Sequence, residues 1–94
     1  MINILKVVGN SMLPTIKPKA FVMVRATWLK KLEVADIVLV KHACFGLIIK
    51  RLIHLDYSCG HTIAGDNRHS VSADTLGKVY SNDILGVVFL HTSN

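Results

Sequence analysis

No apolar run in this chain exceeds seven residues, even counting glycine, and the runs are separated by clusters of Gly, Pro, Asn, Asp and Ser. This punctuation constrains the fold strongly, because a helix that buries one face needs ten or more residues at a 3.6-residue period. Short alternating runs bounded by turn residues read instead as strands. Ile2 to Val8 is the first, with Ile2, Ile4 and Lys6 facing one way and Leu5 and Val7 the other. Gly9-Asn10-Ser11 breaks it. Pro14 and Pro18 then bracket a rigid connection, since each fixes its own backbone angle and restricts the residue before it. Phe21 to Arg25, Ile37 to Lys41, Leu47 to Leu55 and His61 to Ala64 read as further strands, and Val79 with Ile84 to Leu90 closes the sheet. Phe45-Gly46 and Tyr57-Ser58-Cys59-Gly60 mark turns, and Trp28-Leu29-Lys30-Lys31-Leu32 fits either one helical turn or an extended lip. Gly65 to Gly77 is a long polar loop, of the kind that either works or is disordered.

The 94 residues suffice for one domain, 1–94, and at 51% hydrophobic residues a modest core is available. Aromatics contribute only 6%, so that core is aliphatic. The class expected is all-β, a compact core of short antiparallel strands with little helix. No apolar stretch approaches the roughly 20 residues that span a bilayer. The N-terminus is too short and too alternating for a signal peptide, so the expected location is the cytoplasm, with peripheral membrane association left open. The net charge of +5 is scattered; only Lys30-Lys31 and Lys50-Arg51 are adjacent, and no aromatics interleave with them. That pattern reads as a solvated basic surface, and no nucleic-acid partner is expected.

His42-Ala43-Cys44 and Cys59-Gly60-His61 form a mirrored pair with zinc-like residue types. A strand over Leu47 to Leu55 sets the two clusters roughly 25 Å apart, too far for one ion or for a disulfide. Neither a metal nor another cofactor is expected.

Two residues carry possible chemistry. Serine is a poor nucleophile without a base, and lysine in water, with a pKa of about 10.4, is protonated. Burial among apolar side chains disfavours the ammonium and can make lysine a base near neutral pH. Lys50 follows Leu47-Ile48-Ile49 and shares a face with Ile48 and Leu52, whereas Arg51 shares the other with Ile49 and Ile53. Arg51 therefore turns to solvent or to a carboxylate. Ser11 follows Gly9-Asn10, which permit a tight turn with outward backbone N–H groups suited to an oxyanion. Taken singly, each residue also fits a structural role: Lys50 as an edge-strand charge, Ser11 as an ordinary loop serine. A Ser-His-Asp arrangement of Ser11 with His54 or His69 and Asp66 stays open at this level.

Gly9-Asn10-Ser11-Met12-Leu13-Pro14-Thr15 resembles the Ser-Met-x-Pro-Thr box of type I signal peptidases, the S26 family. Ala35-Asp36 with Ile37 to Val40 is similar to that family's Gly-Asp-hydrophobic strand, and Ile49 to Ile53 to its Lys-Arg box. Ala64-Gly65-Asp66-Asn67, with Ser72-Ala73-Asp74-Thr75 and Gly77-Lys78-Val79, resembles its Gly-Asp-Asn box. Four boxes stand in the family's order and cover nearly the whole chain. The resemblance implies a LexA/signal-peptidase-like catalytic core that hydrolyses peptide bonds with a Ser/Lys dyad. Ser11 is then the nucleophile and Lys50 the general base. Ser11 and Asn10 lie at the oxyanion hole, and Ser72, with Ser70 competing, orients the lysine. Asp66, Asn67 and Asp74 brace the loop, and Met12 and Ile49 line the pocket for a small residue before the scissile bond. The substrate is a polypeptide bound as an extended strand beside the residues preceding Ser11 and Lys50.

The sequence departs from that pattern in several places. Gly9 stands where some relatives carry a serine that completes the oxyanion hole. Pro18-Lys19-Ala20 lacks the Gly-Asp that commonly follows the first box. Leu76 stands near the place of an arginine that pairs the loop aspartate, which leaves Asp74 without that partner. No membrane anchor or large second domain is visible. The length and box spacing are similar to the compact maturation proteases of nickel-type superoxide dismutase, which implies removal of a short N-terminal leader or propeptide. A leader peptidase recruited to exported preproteins through a partner, or a catalytically inactive peptide-binding module, is the alternative. LexA-type repressors share the Ser/Lys core but cleave themselves. With no DNA-binding segment or linker apparent, self-cleavage is not expected.

Overall fold

The computed structural model describes residues 2–29 and 31–92. Seven strands build one sheet: β1 (Ile2–Lys6), β2 (Phe21–Ala26), β3 (Ile37–His42), β4 (Gly46–His54), β5 (His61–Ala64), β6 (Lys78–Val79) and β7 (Ile84–His91). Their spatial order is β1-β2-β7-β3-β4-β5-β6, with every pairing antiparallel. The all-β expectation holds, with a four-residue helix and two 3₁₀ turns added among the described residues.

Alternation along the strands sorts side chains between two apolar clusters on opposite faces. On β3, Val38 and Val40 join Leu52, Ile63, Ile84 and Val87, while Leu39 between them packs with Val7, Met12, Ile16 and Val22. Covering both faces keeps β3 buried through its centre, which explains its unbroken Ile37-Val38-Leu39-Val40 run. Register shifts at Met23/Val24, Leu39/Val40 and Leu52/His54 interrupt the ladders. Such interruptions raise the local twist and bend the sheet.

The strand limits depart little from the sequence expectation. β1 stops at Lys6, but Val7 still donates to the Ala20 carbonyl at 2.8 Å and accepts from the Lys19 N–H at 2.9 Å. The segment at Trp28 begins as a 3₁₀ turn, Thr27–Leu29; Lys30, in the same segment, lies outside the described residues. The largest difference is in the polar loop, where Ala73–Leu76 forms helix α1. Ser72 caps it by accepting the Thr75 N–H, and Gly77, at φ 75°, ends it. Leu76 is buried and joins the larger apolar cluster, so one docked side chain supports a helix too short to show a period.

Candidate active site

The turn after β1 presents Ser11. Gly9 starts it at φ 86°, a left-handed conformation that suits glycine, and the Asn10 carbonyl oxygen accepts from two partners, the Leu13 N–H and the Asn67 side-chain amide. The Ser11 carbonyl accepts the Asn67 N–H at 2.9 Å. Asn67 therefore grips both residues of the turn, once by backbone and once by side chain. Among the described residues, the Ser11 N–H donates to no protein group, which leaves it available to an incoming oxygen.

Gly65 fixes the same junction by close approach. A methyl group there would stand 2.5 Å from the Ser11 carbonyl oxygen and 2.6 Å from Ser70 Oγ, so only glycine lets the loop reach the turn. Ser70 Oγ donates to the Asn67 carbonyl at 2.7 Å. Ser72, by contrast, is exposed at the cap of α1, its hydroxyl bonded to Thr75, and Asp74 is exposed in the first turn of that helix. Of the loop serines, Ser70 is the one packed against the Ser11 turn.

Lys50 lies in the middle of β4, opposite Val38, and is only 5% exposed. Burial lowers its pKa from the ordinary lysine value, and no nearby charge enters among the causes. Arg51, one residue on, meets the opposite treatment. Its Nε and one terminal nitrogen hold both carboxylate oxygens of Asp66, at 2.8 and 2.7 Å, and its other terminal nitrogen donates to the Ala35 carbonyl at 2.7 Å. The hydrogen bond to Asp66 raises the Arg51 pKa, and the guanidinium holds the Asp66 carboxyl below its usual range. Thr15 also donates to Asp66, tying the segment after Ser11 to the same carboxylate.

Ser11 and Lys50 line one cleft of about 310 Å³ whose walls are otherwise mainly aliphatic. One wall is Leu5 to Val8, the other Leu47 to Ile49, and Met12 and Leu39 complete it. Met12 is 1% exposed and Ile49 half-buried, so both site residues expected at the pocket reach it. β1 pairs with β2 alone, and β5 covers β4 only from Arg51 onward. Each wall thus carries a strand edge without a strand partner among the described residues.

The chain matches the Peptidase S24-like family over residues 2–89. It belongs to that family. A comparison with curated proteins found no match. The S24-like peptidases and the signal peptidases suggested by the sequence boxes are related families, so this assignment keeps the peptidase class and the all-β core. No helix among the described residues is long and apolar enough to cross a membrane.

The histidine and cysteine clusters lie elsewhere. His42 places Nε2 2.7 Å from the Leu76 carbonyl and accepts the Cys44 and Phe45 N–H groups at Nδ1. Buried His61 accepts the Asp56 N–H and contacts Ser81 Oγ. Cys44 and Cys59 are exposed free thiols. His54 and His69 are exposed and line no part of the cleft with Ser11. The Thr15 contact and the Gly65 approach were not legible in the sequence. The only signal for either was its place inside a box, since neither residue type announces a contact across the fold.

Proposed function

We propose that this S24-like peptidase is an endopeptidase in which Lys50 removes the proton from Ser11. The observation that carries this reading is a buried lysine that lines the same apolar cleft as a serine, the lysine without an ion pair and the serine N–H without an acceptor among the described residues. Ser11 Oγ attacks the carbonyl carbon of the scissile bond while its proton passes to Lys50 Nζ. The oxygen that becomes negative is met by the Ser11 N–H; Gly9, where some signal peptidases carry a serine, brings no hydroxyl. Collapse expels the amine, which takes the proton from Lys50 and leaves an acyl ester on Ser11. Water then loses a proton to Lys50, attacks the ester, and the proton returns to Ser11 as the acid leaves.

The substrate in this reading is an extended polypeptide lying between the β1 edge and the Leu47-to-Ile49 edge, held by main-chain hydrogen bonds. Aliphatic walls at Met12 and Ile49 favour a small apolar residue before the cut. Removal of a short N-terminal leader or propeptide is the process proposed, and a nickel-type superoxide dismutase precursor is the substrate to try first. Purified protein incubated with that precursor and with a random peptide library, read by mass spectrometry, tests it. Cleavage that rises with pH and vanishes in Ser11→Ala is the expected result. Binding without cleavage by the wild type would instead make the chain a peptide-binding module.

A further inference from the structure

The cleft has an uncompensated charge at its wall. Among the described residues, Lys6 and Lys50 are its only charged lining residues, and no carboxylate lines it. Lys50 is buried, but Lys6 is exposed, on the free edge strand, and among the described residues it pairs with no carboxylate. The remaining walls are aliphatic and give an incoming peptide no electrostatic preference. Asp66, in the loop that meets the Ser11 turn, is already held by Arg51 and Thr15. Lys6 lines the cleft from an exposed position, and an ammonium at the rim of a strand-binding groove attracts a carboxylate on the bound strand and repels a cation.

We propose that Lys6 is a specificity-determining residue that selects peptides carrying Asp or Glu against the β1 wall of the cleft. This rests on the peptide-cleft reading above and names the substrate class it takes: an extended strand with small apolar residues at the cut and an acidic residue nearby. The contact is exposed, so it weakens as salt rises. Exchanging attraction for an equal repulsion at such a site is worth roughly a three- to ten-fold change in affinity.

The test separates recognition from catalysis. Fluorescein-labelled alanine-rich peptides, with Glu, Ala or Lys at each position in turn, are titrated into the Ser11→Ala variant and followed by anisotropy. Tighter binding of Glu than Lys peptides at one position is expected. Ser11→Ala carrying Lys6→Ala should lose that preference, and Ser11→Ala carrying Lys6→Glu should reverse it. Equal binding of all peptides, a preference that survives Lys6→Glu, or no binding at all overturns the proposal. The same peptides incubated with the wild type report the peptidase reading separately. Acid-selective binding without cleavage there removes the catalysis and keeps the selectivity.

Discussion

Lys50 and Arg51 are neighbours on β4, yet the fold treats their charges in opposite ways. Arg51 makes three hydrogen bonds to Asp66 and Ala35, and its charge is strengthened by them. Lys50 is buried opposite Val38 with its pKa lowered by loss of water alone. The pleat separates them: consecutive side chains leave a strand on opposite faces, so one residue step suffices to place one cation in a carboxylate and the other in hydrocarbon. The comparison teaches that the paired cation stiffens the frame while the unpaired one is costly to keep. A buried charge without a partner destabilises a fold, and persists where it has a chemical use.

Removing the unpaired cation gives the largest expected effect. Lys50→Met should lower peptide cleavage by about 10²–10⁴-fold, the usual contribution of a general base, measured as kcat/KM on a cleaved peptide. Its thermal stability at neutral pH should stay level or rise, because an aliphatic chain replaces a buried ammonium. Lys50→Arg should be equally inactive but less stable, since a guanidinium does not give up its proton. In the folded protein Lys50 has a lowered pKa, so between that value and the unfolded lysine value of about 10.4 the unfolded chain binds more protons. Wild-type stability should therefore rise with pH across that alkaline window, and the rise should be absent from Lys50→Met in urea titrations.

Arg51→Met breaks the other half of the comparison. It leaves Asp66 without its main partner and should cost about 2–3 kcal/mol in urea denaturation, less than a fully buried pair because both side chains keep some exposure. The depressed Asp66 pKa contributes stability above the unfolded carboxylate value of about 3.9 and loses it as pH falls through the folded value. That acid-side loss should be weaker in the variant. Gly65→Ala acts between the two sites. Its methyl would press on the Ser11 carbonyl and should lower kcat roughly ten- to hundred-fold, a cost typical of misplaced reacting atoms. Ala35→Gly is the mildest change. Ala35 has φ 81° and supplies the carbonyl that Arg51 holds, so glycine relieves strain of about 1 kcal/mol, partly offset by a freer unfolded chain. A melting-temperature increase of a degree or two, with cleavage unchanged, is expected.

The strands were legible because their patterns are local: His61–Ala64 is bounded in the fold where the sequence places it, and the others differ at their ends. The face assignment of Lys50 and Arg51 was legible for the same reason, since alternation depends on nothing beyond the strand. Helix α1 was not, because four residues between Ser72 and Gly77 carry no period and depend on Leu76 finding the core. The pairing of Arg51 with Asp66 was only half visible. A carboxylate was one of two options for Arg51, and which one answers depends on how the Gly65 loop folds back across Ser11. The resemblance put Ser72 ahead of Ser70 as the serine beside the lysine; in the fold Ser72 is taken up by the cap of α1, while Ser70 lies beside the Ser11 turn, a difference set by a helix that spacing does not reveal.

The central claim is that Lys50 acts on Ser11 as a neutral amine. The most direct measurement is the titration of Lys50 Nζ by NMR, beside the pH dependence of kcat/KM for one cleaved peptide. A single apparent pKa, below the ordinary lysine value and shared by both curves, with cleavage in Lys50→Met lowered by about 10²-fold or more, is the predicted result. A Lys50 that titrates as an ordinary lysine while cleavage is already complete at neutral pH, or undiminished cleavage in Lys50→Met, contradicts it.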